Sequence, residues 1–90
     1  MEEIKKLLHQ TPGWLLIDQK IVKQFILRDF PDSLRFVLQV GELAENVHHH
    51  PNIKIEYNKV TLELWTHNAN GLTGKDFEMA KQIDELLDSS

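Results

Sequence analysis

Ninety residues, 41% of them hydrophobic and 27% charged, fit one soluble domain over residues 1–90 that buries roughly 60% of its unfolded surface. The absence of cysteine excludes disulfides and thiolate chemistry, and a formal net charge of −4 argues against a nucleic-acid partner. No apolar run approaches the roughly 18 residues of a membrane span, and the opening Glu2-Glu3 is unlike a signal peptide, so a cytoplasmic protein is expected.

Ile4, Leu7 and Leu8 recur at helical spacing, which predicts a short amphipathic helix stopped by Thr11-Pro12-Gly13. From Trp14 to Leu27 the chain is rich in β-branched and aromatic residues, interrupted by Asp18-Gln19-Lys20. This reads as an antiparallel hairpin with strands at about 14–17 and 21–28. Pro31 and Asp32 then open a helix expected over 31–47. Its apolar residues form two stripes, Leu34, Val37, Leu38, Gly41 and Ala44 on one side and Phe36, Val40, Leu43 and Val47 nearly opposite. One sheet covers only about 100° of a helix, so the second stripe predicts a subunit interface. Pro51 should end the helix, with His50 extended and His48 still helical.

Ile53, Ile55 and Tyr57 alternate with polar residues as a half-buried strand, Asn58-Lys59 reads as a tight turn, and Val60, Leu62 and Leu64 alternate as the returning strand. Trp65 and His67 share the opposite phase. Asn68 to Gly71 reads as a loop. Thr73 and Asp76 imitate a capping box before a final helix that buries Phe77, Ala80, Ile83 and Leu87 and frays at Asp88-Ser89-Ser90. The expected fold is α+β in the order α-β-β-α-β-β-α, a two-layer, four-stranded antiparallel sheet with helices on one face.

Four of the five histidines fall between positions 48 and 67. Imidazole titrates near neutrality, with an ordinary pKa of about 6.5, so the cluster points to acid–base chemistry or a metal. Zinc needs about four converging ligands, and only Glu45 and His49 stand one helical turn apart, so no metal is expected. His49 or His50 from the helix end and His67 from the strand end can instead remove one proton and donate another. A surface cluster without a role is the competing reading. Nucleophilic and phosphate-cradling motifs are missing from the sequence.

Glu45, three residues, His49-His50-Pro51, five residues, Tyr57, nine residues, His67, eight residues and Asp76 form a gapped motif. It resembles the signature of the pterin-4a-carbinolamine dehydratases. Gly13-Trp14, the stretch from Lys23-Gln24-Phe25 to Asp29-Phe30 and Gly71-Leu72-Thr73 are similar too, so the likeness runs from about Thr11 to Leu87. The resemblance implies loss of water from a 4a-hydroxytetrahydropterin to give the quinonoid dihydropterin, with no cofactor, since the pterin is the substrate.

By position in the family motif, His49 and His67 would be the acid–base groups and His50 would orient the pterin; sequence does not decide which is acid and which is base. Glu45 is expected to hold the His49 imidazole. Asp76 is either a cap or a site residue, and Trp65 either stacks on a pterin or is a surface aromatic. Tyr57 is expected as a wall or core residue and His48 as a neighbour adding charge. The family also implies a homodimer or homotetramer, expected through helix 31–47 and the sheet edges. The alternative is a non-catalytic protein-binding or dimerisation-cofactor module of the same fold.

Overall fold

The computed structural model describes residues 2–69 and 71–88. The elements run α1 (Glu2–His9), β1 (Leu15–Ile17), β2 (Lys20–Ile26), α2 (Phe30–Val47), β3 (Asn52–Glu56), β4 (Lys59–Leu64), a 3-10 turn (His67–Ala69) and α3 (Gly74–Asp88). The four strands are antiparallel in the order β1-β2-β4-β3, so α2 carries the chain past β2 and β4 returns to pair with it. The α+β sheet-and-helices architecture expected from the sequence is the one observed. The expected tail at Ser89-Ser90 and position 70 of the expected loop lie outside the described residues.

Strand alternation decides which face is covered. Val60, Leu62 and Leu64 of β4 pair with Phe25, Lys23 and Ile21 of β2, and all but the lysine are buried. Phe36, Val40 and Ala44 of α2, Phe77, Met79, Ala80 and Ile83 of α3, and Trp14 complete this core. The opposite face is open to solvent and carries Leu15, Ile17 and Ile26, with Lys20 paired to Glu63. Trp14 Nε1 donates to both oxygens of Asp84, and Lys23 Nζ lies 2.8 Å from the same carboxylate, tying β2 and the segment before β1 to α3.

Several details differ from expectation. The first hairpin turns on Asp18 and Gln19, both in the left-handed region, which explains how it closes without glycine. In the second hairpin Glu56 faces Lys59, so the turn is Tyr57-Asn58 and not Asn58-Lys59. Asn58 is clamped in place: its carbonyl accepts from the Leu27 amide at 2.7 Å and its side-chain amide donates to the Leu27 carbonyl at 3.2 Å. Tyr57 is thereby turned into solvent, 67% exposed, and is neither wall nor core.

Helix α2 begins one residue earlier than expected because Asp29 caps it, its extended backbone letting Oδ1 accept from the Asp32 amide at 2.9 Å. Ser33, Phe36, Val40 and Ala44 form its buried stripe. Ala44 therefore belongs with Val40 and not with Leu34: at roughly 100° per residue it lies about 40° from Val40 and about 80° from Leu34. The two apolar stripes are adjacent, and the large apolar residues of α2 left exposed are Phe30, Leu34, Leu38 and Val47, with Leu38 the most open at 69%. The helix ends before Pro51 can act. His48 adopts φ 54 and ψ 42, its amide bonds to the Ala44 carbonyl, and the His49 amide reaches the same oxygen at 3.1 Å. Histidine is among the few non-glycine residues enriched in this region.

Candidate active site

The left-handed turn at His48 lifts His49 off the helical path and swings it toward α3. Its side chain is only 13% exposed, and Nε2 lies 2.6 Å from Asp76 Oδ1. Asp76 is fully buried in the first turn of α3. Its other oxygen accepts from the Thr73 amide at 3.0 Å, the capping half of its role, and from Thr66 Oγ1 at 2.8 Å. The Thr66 and Thr73 hydroxyls are 2.8 Å apart, and the Lys75 amide donates to Thr73 Oγ1 at 3.3 Å. A buried carboxylate is tolerable only when its lone pairs are occupied, and here both oxygens are bonded. Asp76 is thus both cap and partner of His49.

His50 goes elsewhere. Its Nε2 lies 2.5 Å from Glu45 Oε2, and both side chains face water, 61% and 77% exposed. The hydrogen bond from His50, then the His50 charge, hold the Glu45 carboxyl below its ordinary value of 4.5, with the His48 charge adding a little and desolvation opposing. The expected pairing of Glu45 with His49 is corrected: one-turn spacing counts only while the helix lasts, and α2 stops at Val47.

His67 opens the 3-10 turn after β4, exposed to solvent, and its ring centroid is 4.6 Å from that of Trp65. The expected shared phase of Trp65 and His67 is thus a physical contact, and Lys20 Nζ sits 4.6 Å from the Trp65 ring as well. No hydrogen bond or ring contact joins His49, His50 and His67 to one another among the described residues. The link between His49 and His67 runs through Asp76 and then Thr66, the chain neighbour of His67. Thr66 is itself fastened, its amide donating to the Gly71 carbonyl at 2.8 Å across the loop.

A cleft of about 330 Å³ opens beside His49, lined by Val47 on one side and Gly74, Lys75, Glu78, Met79 and Gln82 on the other. That lies at the small end of the roughly 300–1,000 Å³ typical of small-molecule sites. Tyr57 stands at the opposite end of β4 from Thr66, about 20 Å or more away at roughly 3.3 Å per residue. Among the described residues no group of three or more histidine, aspartate or glutamate side chains converges.

Sequence reasoning did not find Thr66. A half-buried threonine beside a histidine carries no periodic signal, and its value appears only when α3 delivers Asp76 against it. The Thr73 and Asp76 spacing did identify the cap but says nothing of the carboxylate's second oxygen.

The family model described as pterin 4 alpha carbinolamine dehydratase matches residues 1–86. A Roseiflexus castenholzii protein named "Putative pterin-4-alpha-carbinolamine dehydratase" is 49% identical over 85 residues, covering 94% of this chain and 91% of its own length. A Sulfurisphaera tokodaii protein of the same name is 43% identical over 86 residues, covering 96% and 92%. The solved structure described as a transcriptional coactivator/pterin dehydratase from Brucella melitensis superposes with a TM-score of 0.89 at 32% identity, over 93% of this chain and 92% of that one. A pterin dehydratase-like RuBisCO assembly factor of the alpha-carboxysome shares the fold, with a TM-score of 0.68 at 19% identity over 81% and 84% of the two chains.

Proposed function

The chain belongs to the pterin 4 alpha carbinolamine dehydratase family, and on that premise we propose that it dehydrates a 4a-hydroxytetrahydropterin to the quinonoid dihydropterin. The C4a–O bond breaks as an acid protonates the hydroxyl, which leaves as water. A base takes the N5 proton, and the N5–H bonding pair becomes the new N5=C4a bond. One acid and one base balance the reaction, with no electron acceptor required. His49 and His67 form the acid–base pair, and His50 orients the pterin. Trp65 offers a ring face on the His67 side. The observation that carries this reading is His49, held by a buried carboxylate at the edge of a cleft of small-molecule size.

Absorbance of a synthetic 4a-hydroxytetrahydropterin tests it. Wild type should accelerate the loss of water, and a His49→Ala, His67→Ala double variant should fall to the uncatalysed rate. If wild type and double variant alike ran at the uncatalysed rate, the enzyme reading would give way to the protein-binding module.

The working form in this reading is a homo-oligomer. Exposed Leu38 lines a hollow of about 600 Å³ that reaches Ile53 of edge strand β3, Leu34 is exposed on the same helix one turn before it, and a second copy covers this face. Light scattering at micromolar concentration should give a dimer or tetramer, and Leu34→Lys with Leu38→Lys should reduce it to monomer.

A further inference from the structure

The hydroxyl chain behind Asp76 has a direction, and the direction reaches His49. Thr66 Oγ1 has a single hydrogen, and it is donated to Asp76 Oδ2. In the 2.8 Å contact between the two threonines, Thr66 therefore accepts and Thr73 donates. Thr73 Oγ1 completes its valence by accepting from the Lys75 amide. The order is Lys75 N–H to Thr73 Oγ1, Thr73 O–H to Thr66 Oγ1, and Thr66 O–H to Asp76 Oδ2. With the Thr73 amide also donating to Oδ2, that oxygen has both lone-pair sites filled. Oδ1 is left as the acceptor that faces His49 Nε2 at 2.6 Å.

We propose that Thr66 is a positioning residue: by completing this chain it holds the Asp76 carboxylate with Oδ1 aimed at His49, fixes the His49 imidazole as the Nε2–H tautomer, and leaves Nδ1 as the nitrogen that exchanges protons. Neutral imidazole has one donor nitrogen and one acceptor nitrogen, and a bond to one of them assigns the other. Without the Thr66 hydroxyl, Oδ2 keeps only the Thr73 amide, so the aim of Oδ1 at His49 is held by one anchor fewer. Because Thr66 precedes His67 in the chain, the same bond also anchors the turn that presents His67.

The part concerning proton exchange rests on the dehydratase reading; the tautomer does not, and it can be observed without substrate. Nitrogen-15 NMR of the imidazole side chains, with His49 assigned by its absence in His49→Gln, reports which ring nitrogen carries the hydrogen. Wild type and Thr66→Ser should show His49 in the Nε2–H form. Thr66→Val, which keeps the shape without the hydroxyl, should show a mixture of both tautomers. Thr66→Ala serves in its place if valine does not fold. In the dehydration assay the hydroxyl-free variant should lose about tenfold in kcat with KM little changed, and serine should restore it. A wild-type tautomer ratio in Thr66→Val or Thr66→Ala would overturn the proposal, as would Nδ1–H as the main form in wild type. If wild type proves inactive on pterins, the spectra still decide for or against Thr66.

Discussion

Two histidine–carboxylate pairs stand on consecutive residues, and their lengths are nearly equal: 2.6 Å for His49 with Asp76 and 2.5 Å for His50 with Glu45. Their surroundings are opposite. The first pair is enclosed, with Asp76 fully buried; both members of the second are mostly in water. Length therefore says little about what each bond does. In water an ion pair competes with solvent and salt and with the entropy of two mobile side chains. In the interior the alternative to the bond is an unpaired polar group, so the bond holds its geometry. The enclosed pair can fix an orientation; the open one can adjust to a ligand.

The sharpest way to break this contrast is Asp76→Asn. The amide keeps the volume but cannot accept on both atoms, so the denaturant midpoint should report a loss of about 3 kcal/mol. The dehydration rate should drop by about 10²–10⁴-fold, the usual worth of a positioned acid or base. A rate within a factor of about two of wild type would place Asp76 outside the chemistry. Next in size is His50→Ala, which removes the exposed group assigned to orient substrate in the proposed reaction: KM should rise about tenfold while kcat changes less, since a contact made equally in ground and transition states acts on binding.

Smaller still is Glu45→Gln, whose effect on stability depends on pH. A carboxyl held below its ordinary value stabilises the fold above the unfolded pKa and ceases to do so as pH falls through its lowered folded value. Urea unfolding should therefore find wild type more stable than Glu45→Gln at about pH 5–6, with the gap closing as pH drops below 4.5. A gap that widened with acid would reverse the sign of the coupling. The least effect is that of salt. Going from about 0.1 to 1 M shortens the screening length from about 10 to 3 Å, which should erase the Glu45→Gln difference and leave that of Asp76→Asn standing.

The same contrast explains what was legible in the sequence. Core positions set by periodicity were readable, as Val60, Leu62 and Leu64 of β4 show, because burial on one sheet face imposes alternation. The family motif was readable because it needs only residue types and spacings. Pairing within it was harder. Glu45 looked like the partner of His49 only if α2 continued, and the residue that stops it is an ordinary-looking histidine. Tyr57 and Asn58 show the same effect: a left-handed residue that is not glycine leaves no mark in the sequence, so residue types alone point to a turn one residue later than the real one. Ala44 is ambiguous in the sequence because small apolar residues fit either of two adjacent stripes. Thr66 carries no signal in the sequence because its role exists only between segments distant in the chain.

His48 contributes no contact to the cleft, yet its backbone angles decide where His49 points. Selection at position 48 should therefore sort residues by conformational tolerance and not by imidazole chemistry. In a library randomised at that codon, glycine and asparagine should keep the dehydration rate, whereas valine and isoleucine, which resist positive φ, should lose it even though they touch no substrate. A position outside the cleft would then be among the least substitutable in the molecule, and its permitted alphabet would be written in dihedral angles.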